Sequence, residues 1–114
     1  MRFEARALPS ALCLAALLML ADSGRAQDAQ LLRDRSLAAT CAQCHGTEGR
    51  AVAGTGLPGL AGLPAPSLAE QMKSFKSGAR AGTVMPQLAK GFSDAQIDTL
   101  ARWFAQQAAA AATP

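Results

Sequence analysis

The five residues CAQCH, positions 41–45, confine two cysteines and the chain's single histidine to little more than one helical turn. Any fold of this chain must present those three side chains together. Elsewhere, residues able to hold a metal or a cofactor are scarce, and the third cysteine, Cys13, lies in an apolar N-terminal stretch.

That stretch is the first boundary. MRFEARALPSALCLAALLMLADSGRAQ has arginines at 2 and 6, a mostly apolar run from Ala11 to Ala21, and the small residues Gly24 and Ala26 ahead of Gln27. This reads as a secretory signal peptide, residues 1–26, removed by cleavage. The competing reading is a retained anchor, but the apolar run is shorter than the roughly 20 residues that cross a bilayer. Cys13 follows Leu12 where a lipoprotein site needs a small residue, so it reads as apolar filler. Removing 26 of the 114 residues leaves 88, read as one domain over 27–108 and a flexible alanine-rich tail over 109–114. Arg2, Arg6, Arg25, Glu4 and Asp22 leave with the signal, and the formal charge falls from +3 to +2. So mild a balance, with no basic run interleaved with aromatics, argues against nucleic acid as a partner. A domain this small gains from a disulfide, a metal or a prosthetic group.

Four chemistries compete for CAQCH. A disulfide between Cys41 and Cys44 suits an exported chain, but closing so short a loop removes little chain entropy. A thioredoxin-like pair needs a strand before the motif, and no β-branched run precedes Cys41. Zinc lacks a fourth ligand other than a carboxylate, and the adjacency of Cys44 and His45 makes chelation of one tetrahedral ion awkward. The remaining chemistry is the C-x-x-C-H attachment of a c-type haem. Two thiols three positions apart on a helical face add to the two vinyl groups, and His45 is placed over the iron as proximal ligand.

The rest of the domain reads as helices and loops, with no strands. Leu31, Leu32, Leu37, Ala38 and Cys41 have helical spacing, with Arg33, Asp34 and Arg35 turned outward, so a first helix over 29–44 leads into the motif. Glycine and proline crowd residues 46–66, which predicts an irregular loop whose small residues let backbone approach a cofactor. Ser67–Glu70 has the pattern of a capping box, opening a helix to about Ser77 with Gly78 as its stop. A second box, Ser93–Gln96, opens the last helix, whose Ile97, Leu100, Ala101 and Phe104 form an apolar stripe. After Phe104 the tail lacks a packing face and is expected to fray.

The segments CAQCHGTEGR, LPGLAGLP, LAEQMKSFKSGAR and TVMPQLAKGFSDAQIDTLARWFA together resemble the class I c-type cytochromes over about Leu31–Phe104. Within that class they resemble the monohaem cytochrome subunits of flavocytochrome c sulfide dehydrogenases and related small periplasmic cytochromes. The resemblance implies an all-α fold, a small class I cytochrome c in which three main helices wrap one covalently attached haem c. It implies that the Pro58 carbonyl accepts a hydrogen bond from Nδ1–H of His45, fixing the tautomer and raising the donor strength of the ring; alternatively Pro58 only shapes a turn. The first and last helices would cross through small and aromatic residues, with Trp103 or Phe104 at the contact.

The sixth iron ligand separates carriers from enzymes. His45 is the only histidine, so bis-histidine ligation within one molecule is excluded. Met72 falls on the stripe Leu68–Met72–Phe75 and reads as core. Met85 precedes Pro86, which disfavours helix at Met85 and predicts an extended loop able to carry the sulfur across the haem face; the resembled subunits also place their ligand in a TVM context. Cys41 and Cys44 as thioethers, with His45 and Met85 as axial ligands, leave no open position on the iron, and one-electron transfer follows. The partners implied are redox proteins, foremost a sulfide-oxidising flavoprotein in the periplasm, or respiratory complexes served by a freely diffusing carrier. A gas sensor or peroxidase with a labile sixth position is a further alternative. Lys73, Lys76, Arg80 and Lys90 either ring a docking face or are solvated helix faces.

Overall fold

A computed structural model describes the backbone of residues 8–109 and the side chains of 23–109. The expectations for residues 1–7 and 110–114 lie outside the described residues. The chain divides between Arg33 and Asp34 into two units. In the first, residues 8–33 are helical, the start of α1, Leu8–Ala39. The second unit carries the end of α1 and all the elements that follow: α2 (Ala42–His45), a 3₁₀ turn at Thr47–Gly49, α3 (Ala65–Ser77), α4 (Met85–Lys90) and α5 (Asp94–Ala105). Among the described residues there is no strand. No described helix is long and apolar enough to cross a membrane.

The first helix does not run unbroken into the histidine. Thr40 Oγ1 donates to the Leu37 carbonyl at 2.7 Å, a local bond that competes with the helical ladder. The backbone tightens there, Thr40 N–H bonding Leu37 O and Cys41 N–H bonding Ala38 O, and α2 starts anew from Cys41.

The capping box at Ser67 does not form. Pro64 is the N-cap of α3, with no side-chain capping bond, and Ser67 lies inside the helix, where its hydroxyl accepts from Gln71 Nε2 at 3.2 Å. Pro64 and Pro66 hold the backbone angle that the first turn needs and bring no N–H to be capped, so the helix opens on the prolines. The box at Ser93 is complete: Gln96 N–H donates to Ser93 Oγ at 3.2 Å, and Ser93 N–H donates to Gln96 Oε1 at 2.8 Å.

Met85 is likewise not in an extended loop. It is the first residue of α4. In the first turn Pro86 costs no intrahelical hydrogen bond, so the helix opens there despite the steric bias that a proline puts on the residue before it.

The core of the second unit is a cluster of Ala38, Leu68, Met72, Ala89, Ile97, Leu100, Ala101 and Phe104. It joins the end of α1 to α3, α4 and α5. Phe104, not Trp103, is the buried aromatic. Residues 106–109 do not run free: Ala108 O accepts from Arg50 Nε at 3.2 Å, and Gln107 Nε2 donates back to Trp103 O at 2.9 Å. Polar bonds hold this segment where an apolar face is lacking.

The two serines predict a contrast. Ser93→Ala should destabilise the protein by about 0.5–2 kcal/mol, whereas Ser67→Ala should change its stability by no more than about 0.5 kcal/mol. Urea unfolding followed by far-UV circular dichroism measures both.

Candidate functional site

Cys41, Cys44 and His45 occupy one turn because Cys41 caps it: the Cys41 carbonyl accepts from both Cys44 N–H, at 3.3 Å, and His45 N–H, at 2.9 Å. Both thiols are free, Cys41 half-buried and Cys44 exposed. Burial pushes the Cys41 thiol above its ordinary range; the Thr40 hydroxyl at 3.9 Å works against that rise, and the neighbouring Cys44 adds a little to it. The donor atoms are strung along the turn, and among the described residues no group of three histidine, cysteine or carboxylate side chains converges as a metal cage.

The turn ends at Gly46, whose φ of 81° and ψ of 160° lie in a region open essentially to glycine alone. A Cβ there would come 1.8 Å from Arg50 O. The chain therefore reverses at once after His45 and returns through the Thr47–Gly49 turn. Gly49 presses on the core: a Cβ there would lie 2.7 Å from Phe104 Cδ1.

This return builds a partner for the histidine. The Gly49 carbonyl accepts from Leu60 N–H at 2.8 Å and Ala61 N–H at 3.1 Å, while Gly62 N–H donates to Phe104 O at 2.9 Å. The LPGLAG loop is thereby fastened to both the motif and α5, and the Pro58 carbonyl lies 2.7 Å from Nδ1 of the buried His45. A carbonyl only accepts, so Nδ1 carries the proton, and the lone pair of the neutral ring resides on Nε2.

Met72 and Met85 are separated by environment. Met72 is buried on α3, at 8% exposure, within the core cluster. Met85 is half-buried at the edge of that cluster, at the start of α4. Helix α4 is not legible in the sequence, because its six residues are too few for a periodic pattern to declare itself.

The four cations noted in the sequence are all engaged. Lys73 bonds Asp98 and Lys76 bonds Asp94, each at 2.7 Å, bridging α3 and α5. The hydrogen bond to Asp98 raises the Lys73 ammonium above its usual range, and the bond from Lys76 holds Asp94 below the usual carboxylate range. Arg80 bonds Gln71 and lies over the Phe75 ring, and Lys90 bonds Gln87 at 3.0 Å. Lys73 and Lys76 thus face a neighbouring helix. Glu48, which the sequence reading passed over, is in the left-handed region at φ 54° and pairs with Arg50 at 3.0 Å and Arg35 at 3.9 Å.

These residues fit a c-type haem. Two free thiols on one turn match the two vinyl groups, and the Nε2 lone pair is a donor for iron. Apolar surface is also left for a ring to cover: Val52, Leu57, Val84 and Leu88 are 43–55% exposed. Val52 lies beside Gly46, Leu57 precedes Pro58 and Val84 precedes Met85.

The comparisons with known proteins agree with this chemistry. Residues 34–104 match the sequence profile of the family described as cytochrome c oxidase, cbb3-type, subunit III. The chain is 44% identical over 69 residues to the thiosulfate dehydrogenase electron acceptor of Thiomonas intermedia (strain K12), covering 60% of this chain and 32% of that protein. It is 34% identical over 90 residues to the thiosulfate dehydrogenase electron acceptor of Stutzerimonas stutzeri (strain A1501), covering 75% and 42% respectively. It is 33% identical over 72 residues to the cytochrome subunit of sulfide dehydrogenase of Chlorobaculum tepidum, covering 63% and 64%. The matched region is thus a third to two-fifths of the length of the first two relatives and under two-thirds of the third. The all-α cytochrome fold and haem c expected from the sequence agree with these matches and with the helical structure. The chain belongs to the cytochrome c family described as cytochrome c oxidase, cbb3-type, subunit III, whose covalent cofactor is haem c.

Proposed function

We propose that this chain is an exported one-electron carrier that accepts electrons from a dehydrogenase of reduced inorganic sulfur, with its iron held between His45 and Met85. The hydrogen bond from His45 Nδ1–H to the Pro58 carbonyl carries the ligand half of this reading. It fixes which nitrogen faces the metal, holds the ring plane and increases the basicity of Nε2. Cys41 and Cys44 are the thioether positions. Met85 is the axial methionine because Met72 is committed to the core, while Met85 sits at its edge on a short separate element. A haem c held by the imidazole of His45 and the thioether of Met85 would supply one-electron exchange at a raised potential.

Export rests on the N-terminal signal: residues 1–26 are removed, and residues 27–108 act in the periplasm as the monohaem domain. The electron donor is argued from the relatives. One is named as the cytochrome subunit of a sulfide dehydrogenase and two as electron acceptors of thiosulfate dehydrogenase. The first reading is a cytochrome subunit serving a sulfide-oxidising flavoprotein. The second, favoured by the 44% identity, is an acceptor for thiosulfate dehydrogenase, and a freely diffusing carrier would serve that role.

The purified exported protein should begin at Gln27, weigh one haem more than its amino acids and show a reduced c-type absorption spectrum. A colourless protein of polypeptide mass alone defeats the proposal.

The two methionines part company on substitution. Met85→Ala should abolish the weak thioether-to-iron absorption and lower the potential. Met72→Ala should keep that absorption and cost on the order of 2–5 kcal/mol of stability. The reverse pattern would assign the ligand to Met72.

Stopped-flow reduction by each purified dehydrogenase with its own substrate separates the donors. Fast reduction is expected with one of them, and slow reduction by both would remove the sulfur-oxidising role.

A further inference from the structure

Seven residues, 78–84, join the end of α3 to Met85, and their position decides where that methionine stands. The first half is tied to α3 by backbone: Gly78 N–H donates to Phe75 O at 3.2 Å, and Arg80 N–H donates to Ser74 O at 3.0 Å. These bonds turn the Arg80 side chain back over α3. Its guanidinium lies 4.7 Å from the centroid of the Phe75 ring, and its Nη1–H donates to Gln71 Oε1. The planar cation is therefore held both by the ring face and by an amide one turn earlier on the helix.

The edge of the same ring governs the second half of the loop. A Cβ on Gly82 would stand 3.1 Å from Phe75 Cε1 and 3.2 Å from Pro86 Cδ. Gly82 is thus the thin layer that lets the loop pass between the Phe75 ring edge and Pro86. Pro86 is rigid and adjoins Met85, so any displacement there passes to Met85 through one peptide bond. Phe75 itself is packed on the core cluster, which gives the arrangement a fixed base.

We propose that Arg80, Phe75 and Gly82 form a latch that positions Met85, so that Arg80 and Gly82 set how firmly its thioether is held. This rests on the reading of Met85 as the axial ligand. None of the three latch residues is itself a ligand; all are positioning residues that act through Met85. A loosened latch leaves the methionine attached to the chain but raises the fraction of molecules in which an outside base can take its place.

The test is imidazole binding to the oxidised, haem-loaded protein, followed by the shift of the main haem absorption band on binding, with loss of the thioether-to-iron absorption as a second reading where Met85 is present. Arg80→Ala should raise the affinity for imidazole about fivefold, and Gly82→Ala should raise it further. Arg80→Lys keeps a cation over the ring and should restore most of the wild-type resistance. On a Met85→Ala background the same substitutions should have no effect on imidazole affinity, because no thioether remains to be displaced. If Met85→Ala removes the absorption but Arg80→Ala and Gly82→Ala bind imidazole as the wild type does, the latch is wrong and the ligand reading stands. If Met85→Ala leaves the absorption intact, the ligand reading fails and the latch fails with it. Equal effects of Arg80→Ala with and without Met85 would also overturn the latch, since they would show action through another route.

Discussion

The hydrogen bond between His45 and the Pro58 carbonyl organises this small domain. A histidine that must donate through Nδ1 requires a carbonyl at a fixed point in space, and Pro58 lies thirteen positions further along a glycine-rich chain. The fold meets this requirement by chaining contacts. The Gly49 carbonyl fastens Leu60 and Ala61, the Phe104 carbonyl fastens Gly62, and Gly49 itself lies against the Phe104 ring. Position is transmitted from the buried face of α5, through a glycine, to the imidazole. The irregular loop is consequently as determined as a helix, although it has no periodic backbone pattern.

Glycine matters here for two different physical reasons. At Gly46 the backbone angles exclude any side chain, and the Arg50 carbonyl occupies the space a Cβ would need. At Gly82 the obstacle is the flanking Phe75 and Pro86 side chains. The first glycine ends the motif turn, and the second lets a loop pass close to α3. One serves the imidazole side of the site and the other the segment leading to Met85.

Charge is used sparingly. The cations on α3 are matched by Asp94 and Asp98 on α5, pairs that are solvent-exposed and worth little individually. Their larger effect is on the field around the domain, because each pair cancels a positive charge that would otherwise act on an approaching partner. What remains outward-facing in the second unit includes Val52, Leu57, Val84 and Leu88.

By itself the sequence determined the chemistry and the helical class. The CAQCH spacing is dictated by covalent geometry within one turn, and the capping box at Ser93 and the stripe through Ile97, Leu100, Ala101 and Phe104 are local patterns that tertiary packing had no reason to override. Pro58 could be singled out only through the family likeness, since nothing local marks one carbonyl among many in a loop. Tertiary structure decided the rest. The break at Thr40, the opening of α3 on Pro64, the short α4 and the folding back of residues 106–109 all depend on bonds of modest strength competing with equally modest alternatives. Packing and distant partners such as Arg50 and Ala108 settle such competitions, and a one-dimensional pattern does not contain them.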